Sequence, residues 1–226
     1  MTQELWTSVD DYITDALIPA DAALDAALAA SDAAGLPAIQ VSAAQGKLMN
    51  ILARGQGART ILEVGTLGGY STIWLARAVP QGGRVVTLEI DPKHAEVAKA
   101  NFVRAGLSDR IETRTGNALD ILPRLAAEGY GPFDFVFIDA DKPSIPTYFE
   151  WAVKMSKPGT MIIVDNVVRE GAVIDAASED ASVQGVRRLN EMMSRDRRVT
   201  ATVLQTVGVK GYDGFAVALV LDMARM

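Results

Sequence analysis

Over the first fifty positions, apolar residues recur at the spacing of one helix face. Leu5, Val9, Tyr12, Ile13, Ala16 and Leu17 predict a helix that Pro19 stops. An alanine-rich stretch, 21–34, predicts a second helix, broken by Gly35 and Pro37. A third is expected over 42–53 with Ser42 as its N-cap. The period then changes. Short β-branched or aliphatic runs at 60–64, 84–88, 110–113, 133–138 and 160–164 alternate with helical stretches at 70–78, 93–105, 118–127 and 146–156. Such alternation means βαβ units and a parallel sheet covered on both faces. Turn signals separate the runs, among them Pro80-Gln81-Gly82-Gly83 and Lys157-Pro158-Gly159. Residues 167–181 read as a long loop, 182–194 as a helix, and 199–207 and 215–221 as strands. The intervening GVKGYDG (208–214) predicts an antiparallel hairpin. The expected fold class is α/β, with a mostly parallel seven-stranded sheet. One domain is expected over 1–226, with a helical segment at 1–54 and an α/β core at 55–226.

Composition narrows the possible partners. The 226 residues are 49% hydrophobic and 22% charged, which is ordinary for a globular protein. The net charge is −6, whereas binding nucleic acid through phosphates needs a basic face, so no nucleic-acid partner is expected. The arginine clusters at 187–188 and 195–198 are short and read as solvated helix faces. There is no cysteine, which excludes disulfides, thiolate metal sites and cysteine nucleophiles, and suits a reducing compartment. The N-terminus lacks the basic start and apolar core of a signal peptide, and no apolar stretch approaches the roughly 20 residues that span a bilayer. A soluble, cytoplasmic protein without membrane contact is expected.

Candidate chemistry gathers at the strand ends. Ligands of an open parallel sheet bind at the carboxyl ends of its strands. Glu63, Glu89, Asp139, Asp165 and Asn166 all stand at such ends. After the first run come Gly65, Gly68 and Gly69, with Ser71 opening the next helix. This G-x-x-G-G spacing is not the dinucleotide fingerprint. The Glu63 charge would repel a pyrophosphate but favour an ammonium or sulfonium, and Glu89 stands where an acid accepts from ribose hydroxyls. Together they point to S-adenosylmethionine. Glycines alone would fit any strand–turn–helix, so the paired acids carry this reading.

FDFVFIDADK (133–142) and TMIIVDN (160–166) place Asp139 and Asp165-Asn166 at neighbouring strand ends. Their donors are oxygens only, which suits Mg²⁺, with Mn²⁺ and Ca²⁺ as alternatives, and does not suit zinc. Helix capping would explain one of these aspartates, but explains the repeat less well. Lys142 lies three residues past Asp139. Near a divalent ion its pKa would fall toward that of a useful base; an exposed lysine is the equal alternative. His94, the only histidine, reads as a solvated helix residue away from the strand ends.

These motifs, with VSAAQGKLM, ILEVGTLGGYS, VVTLEID and GYDGFAVAL, resemble the cation-dependent O-methyltransferases. That family includes the catechol and caffeoyl-CoA enzymes; the likeness is strongest to its small bacterial members and runs from about 39 to 221. The resemblance implies a Rossmann-like class I methyltransferase fold. It implies S-adenosylmethionine contacts from Val41, Glu63, Gly65, Thr66, Ser71, Glu89, Ala118 and Asp141. It implies a metal held by Asp139, Asp165 and Asn166, with Lys142 as the base and Asp139 beside it in catalysis. It also implies a small aromatic diol as acceptor (a catechol, caffeoyl ester or flavonoid) and a homodimer. Glu170, where the plant caffeoyl-CoA enzymes carry asparagine, and Pro143 and Pro146 depart from the pattern on the acceptor side.

The alternatives are a nicotinamide-dependent oxidoreductase and transfer to an RNA hydroxyl. The first lacks its glycine pattern and its Tyr-x-x-x-Lys donor, since Tyr148 is followed by Ala152. The acidic balance opposes the second.

Overall fold

The computed structural model describes residues 2–225, so the outermost residue at each end of the expected 1–226 domain lies outside the described residues. Three helices come first: α1 (Gln3–Leu17), α2 (Ala22–Ala33) and α3 (Ala43–Gly55). A side-chain oxygen caps each: Thr2 accepts from Leu5 N, Asp21 from Ala23 N and Leu24 N, and Ser42 from Gln45 N. There follow β1 (Thr60–Val64), α4 (Tyr70–Ala76), β2 (Arg84–Glu89), α5 (Pro92–Arg104), β3 (Ile111–Thr115), α6 (Ala118–Ala127), β4 (Phe133–Ile138) and α7 (Ile145–Lys154). The chain continues through β5 (Ser156–Asp165), α8 (Ala181–Arg195), β6 (Val199–Gly208) and β7 (Gly211–Val220). The strands make one seven-stranded sheet in the order β3-β2-β1-β4-β5-β7-β6. The β1–β2, β2–β3 and β4–β5 pairs are parallel and β5–β7 is antiparallel. This is the mostly parallel α/β sheet that the hydrophobic pattern predicts.

The chain divides into two compact units. The first runs to Ala118 and takes in Gly208–Lys210. Its core is aliphatic: Ile61, Leu62, Val85, Val86, Ile73 and Leu75 are fully buried, as continuous apolar strands under helices require. Helices α4 and α5 pack on β2. Helix α1 forms as its spacing predicts but buries none of its residues. The hairpin tip is tied to the N-terminal region: Val209 N donates to Asp10 at 2.7 Å, Gln3 Nε2 to Gly208 O at 2.9 Å, and Lys210 Nζ to Ala38 O at 2.8 Å.

The second unit, from Leu119 onward, has an aromatic core in which Phe133, Phe135, Phe137 and Phe149 are fully buried. At three turns and loops the structure departs from the sequence expectation. Strand β5 begins at Ser156, so the expected turn at 157–159 lies inside it. Phe133 pairs with Ser156 but Phe135 with Met161, so the extra residues of β5 swell into an irregularity. The Thr160 hydroxyl stitches it by donating to Phe133 O at 2.6 Å and accepting from Lys157 N at 3.1 Å. Second, the expected loop at 167–181 contains a 3-10 segment, Arg169–Ile174, kinked at Glu170 and Gly171. Third, the hairpin turn is only Val209-Lys210 rather than all of 208–214.

Candidate active site

In the first unit, β1 delivers Glu63 to a web of hydroxyls. Its carboxylate is fully buried and accepts from Ser71 Oγ at 2.7 Å, Thr72 Oγ1 at 2.5 Å and Thr87 Oγ1 at 2.6 Å. Thr87 is the register partner of Glu63, and its hydroxyl lies 2.5 Å from that of Thr66. The Glu63 charge therefore acts from behind a layer of hydroxyls. Glu89 ends β2 and organises the glycine turn: Oε2 accepts from Thr66 N at 3.2 Å and Leu67 N at 2.7 Å. Its Oε1 accepts from Asp91 N at 2.9 Å. A carboxylate has about four acceptor sites, so further donors can still be met here. Gly65 has φ 100° and its N–H bonds to Leu88 O at 2.9 Å, a left-handed backbone that a side chain would disfavour. Val41 is buried just ahead of the Ser42 cap. Ala118 opens α6, two residues past Gly116, whose N–H bonds to Glu89 O at 2.8 Å. The structure thus joins Glu63, Thr66, Ser71 and Glu89 by hydrogen bonds, directly or through Thr87.

In the second unit, Asp139 directly follows β4, and Asp165 is the last residue of β5. The last parallel pair is Ile138↔Val164, so each aspartate stands one residue past it. Neighbouring strands run about 4.8 Å apart, which puts the two backbones side by side. Lys142 is buried, and its Nζ donates to Asp139 Oδ1 at 3.0 Å. Asp141 caps the 3-10 turn Lys142–Ser144, accepting from Ser144 N at 3.2 Å and from Tyr148 Oη at 2.5 Å. Asp165 is buried and accepts from Asn166 N at 2.8 Å; Asn166 has φ 56°. Among the described residues, no group of three or more His, Cys, Asp or Glu side chains is arranged to hold a metal. A metal here would rest on two carboxylates and the Asn166 amide, an all-oxygen set that fits a hard cation.

A family model described as O-methyltransferase matches residues 23–219. The chain belongs to the O-methyltransferase family. This methyltransferase is 54% identical over 220 residues to a catechol O-methyltransferase of Niastella koreensis, a match covering 97% of this chain and 100% of that one. It is 55% identical over 212 residues to a catechol O-methyltransferase of Mycobacterium tuberculosis, covering 94% of each. An O-methyltransferase of Bacillus cereus, solved in complex with SAH, superposes with a TM-score of 0.96 at 59% identity, over 97% of this chain and 100% of that one. TomG of Streptomyces achromogenes, an O-methyltransferase solved with SAM, gives 0.95 at 54%, over 98% and 100%. The family assignment sets aside the oxidoreductase alternative. No helix among the described residues of the methyltransferase is long and apolar enough to cross a membrane.

His94 is a correction. It is not out in solvent: its side chain is 22% exposed, with Nδ1 3.6 Å from Glu89 Oε1 and Nε2 3.9 Å from Asp91 Oδ2. Asp91 caps α5 and turns the helix so that His94 faces back toward the end of β2. Thr87 and Tyr148 belong to these networks, although the sequence reading assigns neither a role in the site. A lone polar residue inside the apolar run RVVTLE was the available signal for Thr87. Tyr148, one turn into α7, carried no signal that tied it to Asp141.

Proposed function

We propose that this enzyme is an S-adenosylmethionine-dependent and divalent-metal-dependent O-methyltransferase, acting on one hydroxyl of a small catechol-type acceptor. S-adenosylmethionine supplies a methyl group on a cationic sulfur, and a divalent ion, Mg²⁺ with Mn²⁺ or Ca²⁺ as alternatives, supplies the positive charge that acidifies a bound hydroxyl. The observation that carries the reading is the pairing of Lys142 Nζ with Asp139 Oδ1 at 3.0 Å, beside the strand end that bears Asp165-Asn166. Asp139, Asp165 and Asn166 would hold the ion. Lys142, as the neutral amine, would accept the acceptor's proton and become an ammonium, and Asp139 would keep that nitrogen directed throughout. Glu63, Thr66, Ser71, Glu89, Gly65, Val41, Ala118 and Asp141 would hold the cofactor. Burial of Glu63, Glu89, Lys142 and Asp165 supports this, because charges taken out of water act more strongly on what they face.

The catechol O-methyltransferase names of relatives at 54% and 55% identity favour a small diol over an RNA hydroxyl. The unburied apolar residues of α1 support a homodimer. The deciding experiment is Asp165→Ala. It should abolish transfer to a catechol while S-adenosylmethionine still binds by calorimetry, and excess EDTA should silence the wild type. Full activity in EDTA overturns the metal reading.

A further inference from the structure

We infer that Asp213 is a positioning residue that fixes the Asp165-Asn166 pair; the inference rests on the metal reading of that pair. The backbone leaving β5 takes an improbable course. Asn166 has φ 56°, Arg169 and Glu170 each 55°, and Gly171 90°. Left-handed backbone is disfavoured for residues with a Cβ and persists only where the surroundings impose it. Here the imposing groups come from the start of β7. Val167 N donates to Gly214 O at 3.0 Å. Val168 N and Arg169 N both donate to Asp213 Oδ1 at 2.9 Å. The same oxygen accepts from Gly214 N at 2.9 Å.

With Asn166 N on Asp165 Oδ1 at 2.8 Å, every amide from 166 to 169 is bonded, and two of the four reach one carboxylate oxygen. Bonds to an ionised acceptor are roughly twice as strong as neutral ones. Gly214 completes the grip. A side chain there would run into the Leu204 carbonyl and the Val168 side chain, so only glycine lets β7 lie this close to the departing loop. Asp213-Gly214 therefore clamps the three residues that directly follow the metal pair. The consequence is specific: Asp213 bonds the backbone amides of Val168, Arg169 and Gly214, and through them it sets where the Asp165 and Asn166 side chains start from. Groups that orient metal ligands in this way typically cost roughly 10–100-fold in affinity when lost.

Mn²⁺ affinity, read by electron paramagnetic resonance of the free ion in the presence of S-adenosylhomocysteine, tests this on wild type, Asp213→Ala, Asp213→Asn and Asp165→Ala. Asp213→Ala should bind Mn²⁺ at least tenfold more weakly while S-adenosylhomocysteine affinity stays within twofold. Asp213→Asn, which keeps the accepting oxygen, should recover most of the loss. Amides 167–169 should exchange with deuterium faster in Asp213→Ala alone. If the alanine variant does not fold, Asp213→Ser replaces it, since its shorter hydroxyl cannot serve the same amides; the criteria are unchanged. Unaltered Mn²⁺ affinity in a variant that lacks the acceptor overturns the clamp and leaves the metal reading standing. Equal losses of Mn²⁺ and S-adenosylhomocysteine affinity mean general loosening and also overturn it. No Mn²⁺ binding by wild type, indistinguishable from Asp165→Ala, defeats the metal reading itself and the clamp with it.

Discussion

Lys142 is buried with its ammonium 3.0 Å from Asp139, so its four methylenes are packed and its head is directed. A lysine ordered to this degree has already lost rotamer freedom that a surface lysine keeps. Lys142→Met keeps the stem and deletes the proposed base; kcat with a catechol should fall roughly 10²–10⁴-fold, with cofactor affinity little changed by calorimetry. Nearby, burial first and then the Asp141 carboxylate push the Tyr148 phenol above the ordinary tyrosine range. Tyr148 thus remains a hydrogen-bond donor to Asp141 throughout the working pH range. At this scale the sequence was readable wherever a charge interrupted an apolar run at its end. It was unreadable where a role depends on partners far along the chain, as with Asp213 and the amides some forty-five residues before it.

Elements are joined by caps and close approaches. Asp21 caps α2 and takes a two-pronged bond from Arg77 at 2.6 and 3.0 Å, tying α2 to the end of α4. Asp21→Ala should cost about 0.5–2 kcal/mol in urea unfolding at neutral pH, chiefly as a lost cap, since the ion pair is partly exposed and screened. The Arg77 hydrogen bond holds the Asp21 carboxyl below its ordinary 3.8. A depressed carboxylate stabilises the fold above the unfolded value, and that contribution fades as pH drops through the folded one. The gap between wild type and Asp21→Ala should therefore be full at pH 7 and 5, and shrink below about pH 4.

Gly185 on α8 presses on the carbonyl of Lys142 and on Pro143, where a Cβ has no room. Gly185→Ala should destabilise by about 1–3 kcal/mol and lower kcat by shifting the lysine's turn, as read by thermal melts and initial rates. The positions of the main helices and strands were predictable from periodicity together with alanine content and turn residues. The swelling of β5 was not: Lys-Pro-Gly is turn chemistry, and only the pairing of Phe133 with Ser156 keeps it in the strand. Likewise nothing local foretells that 169–174 coils into a 3-10 segment, because its backbone is set by β7.

For the whole molecule, the informative feature is what α1 leaves uncovered. Leu5, Val9, Tyr12 and Leu17 lie on a regular helix and are 50%, 46%, 74% and 67% exposed. In the proposed homodimer, this apolar surface is what a second copy of the chain would cover. Light scattering on wild type should report twice the 24.1 kDa chain mass, and Tyr12→Asp combined with Leu17→Asp should shift it toward one chain. A monomeric wild type at micromolar concentration would refute the homodimer.

Strand β6 raises a practical matter. It ends the sheet, seven of its ten residues are exposed, and VTATVLQTVG contains neither a charge nor a proline. Natural sheets guard such borders against stray pairing with gatekeeper residues. A concentrated stock should consequently lose protein to aggregation through this border. A single lysine at Thr202 should lengthen its shelf life without touching the catalytic groups, and turbidity on storage would show it.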